Sequence, residues 1–347
     1  MSDYREMVEG KRQAMLDVLL QNIEQNPVKW QKGWYALDVP YNGATGKNYN
    51  GLNSLFLDAV SHTRGYKDLR WVTFNQAKEL GAKIKAGERA SEVFYWSRYD
   101  TKTKKQFEPK TIKNLSEEEQ QRYMKDNVRA VLKFYQVFNA EQCNYFPISS
   151  RSGGMSAEEQ AVQNKRIDSI IKNSAAPIYY DGKNQAYYSP RLDSIHLPAI
   201  ESFNQKTDYY ATALHEISHS TGHPSRLNRD LSGGFGSDSY AIEELRAELA
   251  SVFMQVELGI NLKDAEVANH SAYLSSWLEQ VKKDSTVFYR AAADAGKISD
   301  YIKFNYLEKE NATVSEELQA MRKAALENRR MDRQLLQRAD SNFAEIQ

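Results

Sequence analysis

Two histidines, His215 and His219, stand four residues apart in the stretch from Asp208 to Pro224 and limit the choice of fold more than any other residues. Residues four apart lie on one face of a helix, so the two imidazoles can bind one metal ion. Glu216 lies about 100° further round that helix, where it can act as general base on a water at the ion. A glycine and a proline after His219 are typical of a helix end. The pattern therefore predicts a metal site on the last turns of a helix.

A zinc site needs three protein ligands and an open fourth position, so a third ligand must come from elsewhere. Gly222 fits the metzincin pattern, but the third histidine of that pattern would fall at Ser225, which cannot serve. His223 stands two residues too early for the same role. The metzincin arrangement is therefore excluded, and a glutamate on a following helix becomes the candidate.

The stretch from Tyr240 to Leu258 predicts that helix, because apolar residues recur every three or four positions and a glycine follows. Glu244 and Glu248 stand four residues apart on one face of it. This resembles gluzincins, in which an acid four residues after the ligand glutamate hydrogen-bonds a ligand histidine. We therefore predict Glu244 as the third ligand, with Glu243 as its competitor. Glu248 and His223 are predicted just outside the ligands, where a hydrogen bond fixes the tautomer of an imidazole.

Charge and cysteine content limit the class of protein. The chain carries 46 basic and 46 acidic side chains, but residues 1–150 hold 23 and 18 of them, which leaves +5 there and −5 in the rest. A basic N-terminal half favours a polyanionic partner. The chain has one cysteine, Cys143, no apolar leader and no apolar run approaching about 18 residues. These features predict a cytoplasmic protein without an export signal or a membrane span.

The length of the chain favours two domains. A polar segment at 149–156 is the predicted linker between a first domain at 1–148 and a second at 157–305, and a charged helical tail is predicted at 306–347. The first domain is expected to contain a helix at 3–25, a helix at 52–61, strands at 92–97 and 131–138, and a charged insert at 102–123 that forms a hairpin or is mobile.

The second domain is expected to begin with a helix at 157–173 and to continue with three short strands at 177–180, 186–189 and 194–198. Asp181 and Gly182 predict a hairpin turn between the first two strands. A small sheet before the metal-binding helix would have an edge strand able to hold an extended peptide. After the two metal-binding helices, a further helix around Ser276 is expected to reach Phe288.

Several short stretches in the same order match one known family; they are 27–30, 42–53, 71–77, 81–88, 137–142, 187–190, 195–198, 215–229 and 240–248. In these stretches the chain resembles ArdC-type antirestriction proteins of conjugative plasmids, and its N-terminal part is similar to TraC-type plasmid primases. The resemblance covers about residues 4–305. The insert at 102–123 and the tail after Tyr306 depart from the family pattern.

The resemblance implies an α+β protein, with an N-terminal α/β domain that binds single-stranded DNA and a zincin-like metallopeptidase domain similar to SprT/Spartan-type proteases. It also implies a role in protecting incoming plasmid DNA from restriction. The candidates for DNA contact are Lys47, Tyr49, Asn53, Trp71, Lys83 and Lys85. The expected cofactor is Zn²⁺, and the expected partners are single-stranded DNA and a protein or peptide substrate. The oligomeric state is left open.

Two functions of different classes fit these expectations. The first is a zinc metallopeptidase, with an activity that is DNA-dependent or narrow, in which Glu216 takes the proton from the attacking water. The second is a non-catalytic DNA-binding protein that shields incoming DNA and has a structural or vestigial metal site. An intact Glu216 favours catalysis, because a structural site needs no base there. A primase accessory module is disfavoured, because no primase-type acidic metal cluster is found in the sequence.

Overall fold

The computed structural model describes residues 2–25, 39–146, 157–234, 236–258 and 278–307. Contacts group the chain into a first unit, Met1–Ser91 with Val137–Glu310, and a second unit, Glu92–Gln136 with Asn311–Gln347. The first unit thus includes residues of both predicted domains, whose boundary stays a prediction. The predicted linker at 149–156 and the tail from 308 onward lie outside the described residues.

Helices form most of the first unit. Its longer helices are α1 (Ser2–Gln25), α2 (Leu52–Arg64), α5 (Ala157–Lys172), α6 (Lys206–Ser220), α7 (Asp238–Leu258) and α8 (Ser285–Ile302). The sequence predicts the first five of these as helices, and it predicts only the start of α8, as the end of a helix expected to reach Phe288. A side-chain hydrogen bond from Asn22 to the Ala59 carbonyl, 3.4 Å, joins α1 to α2.

The three helices α6, α7 and α8 share one apolar core. Leu214 and Ile217 from α6, Leu245 and Leu249 from α7, and Ala291 from α8 belong to the same buried cluster. Burying each large aliphatic side chain contributes about 1.5–3 kcal/mol relative to leaving it exposed. This interface therefore fixes the separation of the two helices that carry the predicted metal ligands.

A short helical segment at 278–283 precedes α8. The expectation of one helix from Ser276 to Phe288 is wrong in detail, because Asp284 interrupts it and is not helical. The Asp284 carboxylate accepts a hydrogen bond from the Thr286 amide, 2.9 Å, and so caps the N-terminus of α8. Among the described residues, no helix is long and apolar enough to cross a membrane.

A small three-stranded sheet precedes α6. Its strands are β6 (Ile178–Tyr179), β7 (Tyr187–Ser189) and β8 (Ser194–His196), in the order β6-β8-β7. The predicted hairpin between the first two strands is wrong: β6 pairs parallel with β8, and β7 pairs antiparallel with β8. The hairpin joins β7 to β8 instead, through a turn in which Asp193 has a φ of +49°. Strand β7 consequently lies at the edge of this sheet.

The strands β1 (Tyr41–Asn42) and β2 (Arg70–Thr73) and the short helix α3 (Phe74–Glu79) complete the first unit. Strand β1 pairs parallel with β2, and β2 pairs antiparallel with residues 137–139 of β5 (Val128–Asn139). Thr73 and Gln76 form a capping box at the start of α3. Trp71 is fully buried and packs edge-on against Tyr66 at 5.9 Å.

The second unit contains the predicted insert. Strand β3 (Ser91–Asp100) pairs antiparallel with the short strand β4 (Lys105–Gln106), which confirms a hairpin at that place. A helix that was not predicted from the sequence, α4 (Glu117–Asn127), follows and is capped by Ser116 and Glu119. Its Met124 is buried in a small apolar cluster with Phe107, Ile112 and Val128.

The burial of Trp71 gives a stability prediction. We expect Trp71→Ala to lower the free energy of unfolding by about 3–5 kcal/mol, because it removes a side chain that is 0% exposed and leaves a cavity. Urea denaturation measures this change. The matched control is Phe74→Ala, an aromatic side chain that is 62% exposed, which we expect to change stability by less than about 0.5 kcal/mol. Equal effects of the two substitutions would contradict this assignment of Trp71 to the core.

Candidate metal centre

Three buried side chains from two helices meet at one point in the first unit. The Nε2 atoms of His215 and His219, one turn apart on α6, are 3.1 Å from each other. The Glu244 carboxylate on α7 lies 3.5 Å from His215 Nε2 and 3.5 Å from His219 Nε2. Among the described residues, this is the group of histidine and acidic side chains whose donor atoms converge closely enough to hold a metal ion. The structure therefore brings together the three predicted ligands.

The spacing and chemistry of these donors fit a divalent cation. Ligands about 2.0–2.1 Å from a tetrahedral ion lie about 3.3–3.4 Å from one another, close to the separations seen here. Two imidazole nitrogens that face each other at 3.1 Å need either a shared proton or a common cation between their lone pairs. Metal binding requires both imidazoles to be deprotonated; one carboxylate charge beside two deprotonated imidazoles then suits a charge of about +2, and three protein ligands leave a fourth position open.

Glu216 is also on α6, lies beside the three ligands and is buried. Burial raises the pKa of its carboxyl above the usual value, against the charges of His215 and His219, which favour the ionised form. The nearby charge of Glu244 adds to the increase, whereas the backbone N–H of Tyr188 on β7 opposes it by hydrogen bonding. A carboxyl with a raised pKa has the proton affinity that a general base needs near neutral pH.

The ring of His219 is held from its other side by Glu243. Its Nδ1 atom lies 3.4 Å from the Glu243 carboxylate, which fixes the tautomer and leaves Nε2 free to bind a metal. Burial alone would lower the pKa of His219, but the charge of Glu244 and the hydrogen bond with Glu243 raise it well above its usual value. The sequence predicts Glu243 only as a competing ligand and Glu248 as the acid that makes such a contact. For Glu248, which is buried further along α7, that role stays a prediction.

Arg229 holds Glu243 in place. Its guanidinium donates two hydrogen bonds to the Glu243 carboxylate, at 2.7 and 3.1 Å. The same group donates to the Thr221 hydroxyl at 2.7 Å and to the Ser218 carbonyl at 2.9 Å, so it also satisfies the end of α6. A side chain at Gly222 would meet Arg229 and Leu231 at 3.1 and 2.9 Å, which explains the glycine there. Nothing in the sequence pattern relates Arg229 to an acid on the next helix, so this contact could not be found from spacing.

The predicted position of His223 beside the ligands is not what the structure shows. Its Nδ1 atom contacts the Ser225 hydroxyl at 2.8 Å and lies 3.8 Å from Asp193, in the turn after β7. Asp193 forms a salt bridge with the buried Arg226 and accepts a hydrogen bond from the Tyr188 hydroxyl, 2.8 Å. The segment after α6 therefore turns His223 toward the sheet. This group of residues binds the edge strand β7 to the end of the metal-binding helix.

The six candidates for DNA contact differ in burial. Exposed side chains belong to Lys47, Lys83 and Lys85. Buried side chains belong to Tyr49, Asn53 and Trp71. A buried ring offers no face to a nucleobase and a buried amide offers no edge to one, so the expectation that these three contact DNA is corrected, and they are structural residues of the first unit. The three lysines remain predictions, and one of them, Lys85, donates a hydrogen bond to the Glu141 carbonyl at 2.8 Å.

Comparisons with protein families match both halves of the chain. The N-terminal domain of the anti-restriction factor ArdC matches residues 10–138, and a zincin-like metallopeptidase domain matches residues 165–294. The second match contains all three metal-binding candidates. The DNA primase TraC of Escherichia coli is 38% identical over 290 residues, which are 82% of this chain and 26% of that protein. The chain thus spans about a quarter of the length of this curated relative.

Two solved structures match this chain over nearly their whole length. The antirestriction ArdC protein of plasmid R388, in its Mn(II)-bound form, is 30% identical, with a TM-score of 0.59, and the match covers 84% of this chain and 97% of that one. The metal-free form gives 30% identity, a TM-score of 0.60, and coverage of 85% and 97%. The resemblance seen in the sequence motifs is confirmed: the chain belongs to the ArdC family of antirestriction proteins and joins an ArdC N-terminal domain to a zincin-like metallopeptidase domain.

Proposed function

We propose that this protein protects the DNA of a mobile element in the cytoplasm, binds single-stranded DNA and hydrolyses peptide bonds at a zinc centre. The peptidase part rests on one observation: the His215, His219 and Glu244 donors converge beside the buried Glu216. The antirestriction part rests on membership of the ArdC family. The basic N-terminal half of the chain supports a nucleic-acid partner.

In this proposal His215, His219 and Glu244 hold the ion, and each residue around them has a defined task. When held by these three side chains, zinc would polarise a carbonyl and lower the pKa of a water toward about 7. Glu216 accepts the proton of the attacking water on its carboxylate and delivers it to the leaving amine. Burial of the four side chains keeps bulk water away and strengthens these electrostatic effects.

The substrate that this site fits is an extended peptide. Strand β7 lies at the edge of its sheet, and a sheet edge offers unpaired backbone groups to a further strand. The Tyr188 amide of β7 reaches Glu216, so a peptide added along this strand would pass close to the base. The Arg226 side chain supports this arrangement by holding Asp193 at the end of the strand.

Zinc is proposed over manganese because of the donor set. Imidazole nitrogen suits Zn²⁺, whereas Mn²⁺ prefers carboxylate, carbonyl and water oxygens. The R388 relative was crystallised with Mn(II), which supports a divalent site in the family without fixing the metal of this chain.

A non-catalytic shielding protein is the alternative, because antirestriction can rest on DNA binding alone. The two proposals differ in the need for Glu216, which a structural site does not use.

The first test removes the base. We expect Glu216→Gln to reduce cleavage of casein, or of the protein itself, by about 10²–10⁴-fold while metal binding is retained, because the amide cannot accept the proton. Cleavage is measured with zinc-loaded protein, with and without single-stranded DNA. Glu201→Gln, at an exposed glutamate, is the matched control and should leave cleavage unchanged. Undiminished cleavage by Glu216→Gln would exclude the mechanism, and no cleavage by the wild type would favour the shielding protein.

A second test compares Glu243, which contacts His219, with Glu248, the acid predicted to make such a contact. We expect Glu243→Gln to weaken zinc binding by about 10–100-fold, because the hydrogen bond that orients His219 loses its charge. Zinc affinity is measured by competition with a chromogenic chelator. Glu248→Gln is made in parallel and reports whether that acid supports a ligand as well. An unchanged affinity in Glu243→Gln would show that the contact at His219 has no influence on the metal.

A third test concerns the DNA. We expect the affinity for a single-stranded oligonucleotide to fall steeply with salt, as lysines that neutralise phosphates release counterions. Substituting Lys47, Lys83 and Lys85 with glutamine should reduce the slope of log affinity against log salt by about 0.7 for each lost phosphate contact. Fluorescence anisotropy with a labelled oligonucleotide gives this slope. A slope that stays the same in the triple variant would remove these lysines from the interface.

A further inference from the structure

One face of the sheet in the second unit carries exposed aromatic rings. Along β3, residues at alternate positions share a face, so Tyr95 and Tyr99 point to the same side. Tyr135 of β5 lies beside Tyr95, with ring centroids 5.7 Å apart at 72°. The Tyr95 side chain is 47% exposed and that of Tyr135 is 44% exposed, although both lie in the middle of long strands. We call Tyr95, Tyr99, Tyr135 and the neighbouring Lys133 the tyrosine face.

The opposite face of the same strands is used for packing. Asp100, one position after Tyr99 and therefore on the other side of β3, is buried and accepts a hydrogen bond from Tyr123 of α4 at 2.8 Å. Phe94 and Phe134 pair with each other at 6.4 Å, again one position away from the tyrosines. Helix α4 therefore packs against one face of the sheet, and the tyrosines lie on the opposite face.

Positive charge lies at the border of the tyrosine face. The Lys133 ammonium donates a hydrogen bond to Gln106 of β4, 3.3 Å, and Gln106 is the register partner of Tyr99. The turn between β3 and β4 carries two exposed lysines, Lys102 and Lys104, and a third, Lys105, begins β4 directly after it. Residues 98–106 hold four basic and one acidic side chain, a balance of +3. An anionic ligand would be drawn to this border.

Rings on an open sheet next to lysines are the arrangement that binds single-stranded nucleic acid. Bases stack on exposed aromatic rings without regard to sequence, and lysines follow the phosphates. Lysines at a sheet edge also discourage pairing with a second chain, but that role does not require exposed tyrosines on the face beside them. We propose that the tyrosine face is a contact surface for single-stranded DNA, with bases on Tyr95 and Tyr135 and phosphates on the β3–β4 turn. This inference rests on the proposed DNA-binding function and names residues for it.

The tyrosine rings and the lysines near the β3–β4 turn are expected to affect DNA binding differently, and one titration experiment distinguishes the two effects. Anisotropy of a fluorescein-labelled oligothymidylate is recorded with the full chain over a range of salt concentrations. We expect Tyr95→Leu/Tyr135→Leu to weaken binding by about tenfold or more at every salt concentration, because stacking is lost without loss of charge. Tyr95→Phe/Tyr135→Phe keeps the rings and should bind like the wild type.

Charge variants should change the salt dependence instead. We expect Lys104→Gln/Lys105→Gln to lower the slope of log affinity against log salt by about 1.4, that is, about 0.7 for each phosphate contact. The matched control for charge is Lys110→Gln/Lys113→Gln, two exposed lysines outside the turn, and that for the rings is Tyr179→Leu/Tyr180→Leu, two exposed tyrosines of the first unit. Both controls should bind with the slope and affinity of the wild type.

The outcomes distinguish this inference from the function on which it rests. Loss in the leucine pair, retention in the phenylalanine pair and unchanged controls would support the tyrosine face. Wild-type affinity in the leucine pair, with circular dichroism unchanged, would overturn the tyrosine face while DNA binding itself stands. A wild-type protein that binds no oligothymidylate would overturn the DNA-binding function and this inference with it.

Discussion

The packing of helix α6 against helix α7 determines whether a metal centre exists in this chain. Two of the three donors come from one helix and the third from the other, so their approach to within 3.5 Å depends on the separation and register of the pair. A shift of one turn, about 5.4 Å, would carry Glu244 out of reach. The apolar residues that hold the helices together belong to one buried cluster. The same contacts therefore stabilise the core and bring the metal ligands together.

The segment that follows the metal-binding helix ties that helix to its neighbours. It supplies two buried arginines, each of which binds an acid from a different element. Arg229 holds Glu243 on α7 and, through it, the ring of His219. Arg226 holds Asp193 in the turn after β7, and so keeps the edge strand beside the end of α6. One short stretch thus orients a ligand on one side and positions the proposed peptide-binding strand on the other.

The sequence predicts those parts of the site that follow from the periodicity of residues along a single helix. Both metal-binding helices follow from the spacing of apolar residues along single helices, whereas the choice of Glu244 over Glu243 follows from the resemblance of Glu244 and Glu248 to the gluzincin arrangement. The parts it missed depend on contacts between distant segments: the salt bridge from Arg229 to Glu243, and the pairing of β7 with β8 in place of β6. Trp71 was misassigned because a pattern of aromatic and basic residues does not tell a buried ring from an exposed one.

Metal binding and peptide cleavage can be followed together in one preparation of the full chain. Metal-free protein is titrated with Zn²⁺ in the presence of single-stranded DNA, and bound metal and casein cleavage are recorded in the same samples. We expect cleavage to rise in proportion to bound zinc and to level off at one ion per chain, as one group of His215, His219 and Glu244 requires. One tightly bound ion without any cleavage would contradict the peptidase and leave this centre a structural role.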